Sequence, residues 1–190
     1  MRILGIDNGL RGGLVLLDDE GRILERHVMP VISIDGKNIY DESALVRLIR
    51  QLAPTNVLIE KAQSMPEQGV ASMFTIGMGY GLIRGILAGL EFRYELVHPR
   101  TWQTKLFRDL PKSDTKAMSV IVAGRLWPAQ DWRASERCKV AHNGLTDAAL
   151  IAEYGRRLFA RLGPKYDYSK PLEANDEDAD ELLESMGNRA

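Results

Sequence analysis

Apolar and polar positions alternate in short runs over the first thirty residues. Residues 2–6 and 14–17 are β-rich, and the glycine-rich stretch between them (Asp7-Asn8-Gly9-Leu10-Arg11-Gly12-Gly13) reads as a hairpin turn. Residues 22–29 form a third strand after the turn Asp18-Asp19-Glu20-Gly21, which completes an antiparallel meander. The period then changes. Residues 41–52 place Leu45, Leu48, Ile49 and Leu52 at helical spacing behind a capping Asp41. Residues 56–60 (Asn-Val-Leu-Ile-Glu) are a fourth strand, 70–90 a long helix and 93–97 a fifth strand. Residues 114–126 form a helix capped by Ser113 or Asp114. Residues 145–162 form a last helix with Arg156, Arg157 and Arg161 placed late, where they suit the helix dipole. Strands first, then helices alternating with strands, make an α/β fold on a single sheet.

Two features do not fit a purely structural pattern. Asp7 and Glu60 each end an apolar strand, and a buried carboxylate is costly unless it is paired, hydrogen-bonded or bound to a cation. Asp7 alone reads equally as a turn-capping Asx residue. The anomaly recurs at Glu60 and at Asp147, which opens an alanine-rich helix (Asp147-Ala-Ala-Leu-Ile-Ala). If the strands of Asp7 and Glu60 are parallel neighbours, the three carboxylates converge at one sheet edge. Oxygen ligands of this kind suit a hard ion, Mg²⁺ or Mn²⁺. Two such ions about 4 Å apart can hydrolyse a phosphodiester. The second feature is the long helix, where Gly77, Gly81, Gly85 and Gly89 form one stripe. Each interior glycine costs about 1 kcal/mol relative to alanine, so the stripe implies a close backbone partner: the domain's own sheet, or the same helix of a second copy. Small residues every fourth position also pack transmembrane helices, but Arg84, Glu91 and Arg93 argue against a membrane span.

Composition narrows the class. The 190 residues are 45% hydrophobic and 27% charged, as expected of one globular domain with a core. One cysteine, Cys138, excludes an internal disulfide framework, and with three histidines it argues against a structural zinc site. The apolar start is too short for a signal peptide and is cut by Asp7, so a cytoplasmic location is expected. The net charge of −1 hides an asymmetry. Residues 1–163 hold 22 basic against 18 acidic side chains, and residues 164–190 hold 3 against 8. The body (1–163) is the folded domain. The acidic tail (164–190) reads as disordered, either as a solubility segment or as a nucleic-acid mimic over a basic face.

In this order, the segments 3–9, 58–65, the glycine-rich helix, His98-Pro99-Arg100-Thr101-Trp102-Gln103, Asp114-Thr115-Lys116 and 142–151 resemble the RuvC-type Holliday-junction resolvases of the RNase H-like nuclease superfamily, in particular their phage-encoded branch. The resemblance spans roughly residues 1–160. It implies an RNase H-like mixed five-stranded sheet, three antiparallel strands then two parallel, flanked by helices. It also implies a Mg²⁺-dependent homodimer, with Mn²⁺ as substitute, that resolves four-way DNA junctions by paired symmetric nicks in a bacterial or phage-infected cell. Asp7, Glu60 and Asp147 match the family's metal-binding acids. Where a further acid or a histidine is usual, this chain has His142 and Asn143. Asn143 can coordinate through its amide oxygen but brings no charge, and His142 serves as ligand, general base or helix-entry residue. Lys105, Arg108, Lys112 and Lys116 are candidate phosphate contacts, Lys116 foremost. Met65 and Phe74 follow Glu60 where resolvases wedge or stack at the junction centre, although core packing is the expected fate of Phe74. Trp102, Trp127 and Trp132 are assigned to packing.

Three rivals remain. Asp7-Asn8-Gly9 with Gly12-Gly13 also fits the phosphate hairpin of actin-like phosphotransferases, but those need a second such domain. Asn143 makes a non-cleaving junction-binding protein a reading of another class. Other RNase H-like nucleases share the carboxylate pattern.

Overall fold

The computed structural model describes residues 1–63, 69–108 and 114–162, so the acidic tail, Met65, Lys112 and the Ser113 cap lie outside the described residues. The elements run β1 (Arg2–Asp7), β2 (Gly13–Asp18), β3 (Ile23–Val28), β4 (Val31–Ile34), β5 (Lys37–Tyr40), α1 (Glu42–Leu52), β6 (Asn56–Glu60), α2 (Val70–Gly89), β7 (Tyr94–Val97), α3 (Pro99–Leu106), α4 (Thr115–Leu126) and α5 (Asn143–Leu162). The main sheet has the order β3-β2-β1-β6-β7. β1, β2 and β3 pair antiparallel, and β6 and β7 pair parallel beside β1. The expected five-stranded mixed sheet is therefore present. Asp41 caps α1 as expected, its carboxylate accepting from the Ala44 N–H at 2.8 Å. Asp114 is the N-cap of α4 but makes no side-chain capping bond.

Three elements were not expected. β4 and β5 form a separate hairpin, and α3 follows β7 directly with Pro99 in its first turn. Pro99 is well placed there, because its missing N–H costs a helix nothing at that position.

The sheet separates two apolar layers, and strand alternation assigns each side chain to one of them. Leu4, Ile6, Val57 and Ile59 pack with Leu45, Ile49, Ile83 and Leu87 on the side of α1 and α2. Ile3 and Leu58 pack with Trp102, Val122, Leu150 and Ile151 on the side of α3, α4 and α5. Positions 5 and 7 on β1 share the face of Ile3, and Glu60 shares that of Leu58. Gly5 lets α5 settle onto the sheet, since a β-carbon there would run into the Ala148 carbonyl and the Ala152 side chain.

Helix α2 corrects one expectation. The side chains it buries in the core are those of Ile83 and Leu87, with Tyr80, Leu82 and Ile86 packed partly buried against that core and Gly79 flush against Tyr40. The stripe of Gly77, Gly81, Gly85 and Gly89 does not face the sheet, because a β-carbon at any of the four would meet nothing within 4 Å. Phe74, expected in the core, is instead 72% exposed. The helix is long and apolar enough to cross a membrane by composition, yet one side of it belongs to the sheet's core.

Candidate active site

Asp7 and Glu60 stand side by side because β1 and β6 are parallel neighbours in a register that pairs Ile6 with Ile59, one residue earlier on each strand. By alternation both point toward α5. Asp147 lies in the first two turns of α5, next to Ala148, whose carbonyl is the group closest to Gly5. Gly144 completes the approach: a side chain there would strike the Arg11 carbonyl and Gly12. The N-terminal turn of α5 is thus seated on the β1–β2 turn, and the two glycine contacts bring Asp147 to the sheet edge that carries Asp7 and Glu60.

Their electrostatics register the proximity. Burial pushes the Glu60 carboxyl up to about 7, with added repulsion from Asp7 and Asp147 outweighing the bond from Trp102. Burial likewise lifts Asp147 to about 7, Asp7 adding to it while Ser119 and Lys116 pull the other way. Asp7 is raised by burial against the opposing bond from the Gly9 N–H. Two other buried acids show the contrast. Asp18 also ends an apolar strand, yet Arg22 bonds it at 2.6 Å, and Glu153 is held by Arg156 and Arg157, each at 2.7 Å. In both, burial is outweighed by these bonds and the carboxyl sits below its ordinary range. Among the described residues, no guanidinium bonds Asp7, Glu60 or Asp147 in this way.

Each acid is held differently. Asp7 Oδ1 accepts from the Gly9 N–H at 3.1 Å, so the Asx-turn reading and the site reading are both true of it. Glu60 Oε1 accepts from the Trp102 indole N–H at 3.0 Å, and its backbone carbonyl accepts from Asn8 Nδ2 at 3.0 Å. Asp147 takes a bond from the Ser119 hydroxyl, while its Oδ1 is buried with no partner. Tyr40 closes the floor beneath Asp7. Its hydroxyl donates to the Asn8 carbonyl at 2.9 Å, and burial with the Asp7 charge raises it to about 12.

The donor chemistry fits a hard cation: three carboxylates at one edge, two of them lifted toward neutrality, and one buried oxygen without a partner. Among the described residues, no group of three or more His, Cys, Asp or Glu side chains is arranged to hold a metal ion. Asn143 begins α5, so it precedes Asp147 by one helical turn, as its spacing suggested. His142 acts at the helix entry: its carbonyl accepts from the Leu145 and Thr146 N–H groups, and its Nδ1 from Leu145 at 3.3 Å. Lys116 is exposed and near enough to favour the ionised form of Asp147. Lys105, on α3, and Arg108, just after it, are exposed. Trp127 and Trp132 stack edge to face, as packing residues do.

Asn8, Tyr40, Ser119 and the bond made by Trp102 were missed in the sequence. A polar Asn directly after a strand-end Asp was a signal for Asn8; the others are set by tertiary contact alone.

No family model matches the chain, and no curated protein matches it. Solved structures do. The RuvC of Thermus thermophilus in complex with a Holliday junction substrate superposes with a TM-score of 0.60 at 17% identity, over 86% of this chain and 97% of that one. Another Thermus thermophilus RuvC structure gives 0.52 at 15% identity, over 80% and 91%. The yeast mitochondrial Holliday junction resolvase Ydc2 gives 0.53 at 14% identity, over 96% and 84%. At these identities the likeness establishes the fold, which is the RNase H-like one expected.

Proposed function

We propose that the chain is a metal-assisted endonuclease that resolves four-way DNA junctions. The observation that carries this is the convergence of Asp7, Glu60 and Asp147, with no guanidinium bonded to them among the described residues, at one edge of a sheet whose fold is shared with two junction resolvases. Asp7, Glu60 and Asp147 would hold the cation, Mg²⁺ or Mn²⁺, whose charge would assist hydrolysis of a phosphodiester. The protein's own part is positioning. Burial keeps the carboxylates poorly solvated, so a cation replaces mutual repulsion with attraction. Lys116, beside Asp147 but exposed, is placed to meet a phosphate oxygen. Incubating the protein with a synthetic four-way junction and a matched linear duplex, with and without Mg²⁺, tests the reading. Paired symmetric nicks in the junction alone, only with metal, are expected. Metal-independent cutting, or equal cutting of the duplex, would refute it.

Two symmetric nicks call for two sites, and the open face of α2 suits a second copy. A β-carbon on its glycine stripe would meet nothing within 4 Å among the described residues, and Met73, Phe74 and Met78 are exposed on the same helix. Sedimentation at high micromolar concentration is expected to give a dimer. Gly81→Leu is expected to give a folded monomer, since a β-carbon at Gly81 meets nothing within 4 Å among the described residues. A wild-type monomer, even with junction present, would rule the dimer out.

Asn143 supplies a further prediction. Asn143→Asp adds a charged oxygen one turn before Asp147, and a hard cation prefers carboxylate to amide. Junction cleavage is expected to rise roughly tenfold and to need less Mg²⁺, as charge count tunes such sites. Unchanged cleavage, with His142→Ala inactive, would place the fourth ligand at His142.

A further inference from the structure

We propose that Trp102 is a positioning residue for Glu60, its indole N–H fixing one carboxylate oxygen so that the other is presented to a bound cation. The proposal rests on the metal-assisted reading above.

Trp102 is fully buried, and its side chain has a single polar atom. That atom points at Glu60 Oε1 from 3.0 Å. The ring also packs edge to face on Phe107, with centroids 5.5 Å apart, so the indole has little freedom to follow a moving carboxylate. Its helix is tied to the strand end that carries Glu60. The Lys61 N–H donates to the Val97 carbonyl at 2.8 Å, at the end of β7. Gln63 Nε2 lies 2.6 Å from His98 Nδ1, the residue that precedes α3. From the other side, Asn8 holds the Glu60 carbonyl. Backbone and side chain of Glu60 are thus pinned from the β1–β2 turn, β7 and α3, whereas Asp147 Oδ1 has no partner.

The consequence is directional. An oxygen already accepting an indole N–H has one lone pair fewer for a cation, so Glu60 offers the second oxygen first. The same bond stabilises the ionised carboxyl against burial and two neighbouring charges, the form a metal ligand must take. A packing tryptophan would do neither.

The test uses full-length, uniformly ¹⁵N-labelled protein, whose three tryptophan indole N–H resonances are assigned by single Trp→Phe variants. Titration with Mg²⁺ alone is expected to shift the Trp102 resonance and leave those of Trp127 and Trp132 in place, and Glu60→Gln is expected to abolish the shift. Trp102→Phe keeps most of the apolar contact and removes the donor. It is expected to raise the Mg²⁺ concentration for half-maximal cleavage roughly tenfold, in the range seen when a ligand loses its outer partner. Metal-free junction binding is expected to be unchanged. A Mg²⁺ titration that moves the Asp7 and Gly9 amides but not the Trp102 indole would overturn this proposal and leave the metal reading standing. A titration that moves no resonance would overturn both. The wild-type titration decides the matter even if Trp102→Phe does not fold.

Discussion

Replacing Asp7 with asparagine is expected to yield a folded protein that binds a four-way junction and no longer cuts it. The fold should survive because the structural duty of Asp7 is to accept the Gly9 N–H through Oδ1, and the asparagine amide oxygen occupies the same position. Binding should survive because affinity for nucleic acid comes chiefly from phosphate contacts, and Lys116, Lys105 and Arg108 are untouched. Cleavage should fall by about a thousandfold or more, since the charge stabilisation given by a bound cation is worth several kcal/mol and each 1.36 kcal/mol or so is a factor of ten. A labelled junction assayed by mobility shift in chelator and by cleavage in Mg²⁺ separates the two effects. Cutting at the wild-type rate would remove Asp7 from the site, and with it the reading of the sheet edge as a metal centre. Loss of junction binding together with cleavage would show instead that the turn had collapsed.

The part of this site that strands position was legible in the sequence. Strands repeat every two residues, so the faces of Asp7 and Glu60 follow from Ile3 and Leu58 once the strands are identified, and a parallel register does the rest. Helical contributions were harder to read. The repeat of Gly77, Gly81, Gly85 and Gly89 implied a packed face. The close contact within the chain is made by Gly79, in phase with Ile83 and Leu87, because the sheet selects a different row of the same helix. The hairpin β4–β5 escaped detection since seven of its eight residues are exposed, leaving only Tyr40 to point inward. Helix α3 is eight residues long and buries one side chain, Trp102, too few for a period to show. Trp102 was correctly assigned to the core, but nothing in its spacing reveals that its one donor would meet Glu60. That contact depends on α3 turning back across the end of β6, which is a property of the tertiary fold.

In the absence of metal the protein is expected to become more stable as pH falls from 8 toward 5, the reverse of ordinary acid denaturation. Glu60 and Asp147 have folded values near 7, raised by burial and by their neighbours, while in the unfolded chain each returns to its ordinary value of 4.5 or 3.8. Between those values the native state binds more protons than the unfolded state, so stability falls as pH rises through the window. The gain on acidification is bounded by about 1.4 kcal/mol for each tenfold rise in a carboxylate's proton affinity on folding. Since these charges are coupled, a total of a few kcal/mol is the scale. His142 works against it: burial lowers its value, so it disfavours the folded state as it protonates, through a single partly buried ring. Below the window the trend reverses. Glu153 and Asp18 sit below their ordinary values because arginines hold them, and their stabilising contribution, present above the unfolded value, is lost as pH falls through the folded one. The metal-free stability maximum is therefore expected near pH 5. Thermal melts in chelator at pH 5.5 and 8 provide the measurement, the melting temperature being higher at 5.5. Mg²⁺ should raise the value at pH 8 and scarcely change it at 5.5, where protons compete for the same oxygens. Asp7→Asn should flatten the metal-free pH dependence by removing one of the three repelling charges. Equal melting temperatures at the two pH values in chelator would mean that folding does not raise the proton affinity of Glu60 and Asp147, and the case for a cation among them would lose its electrostatic basis.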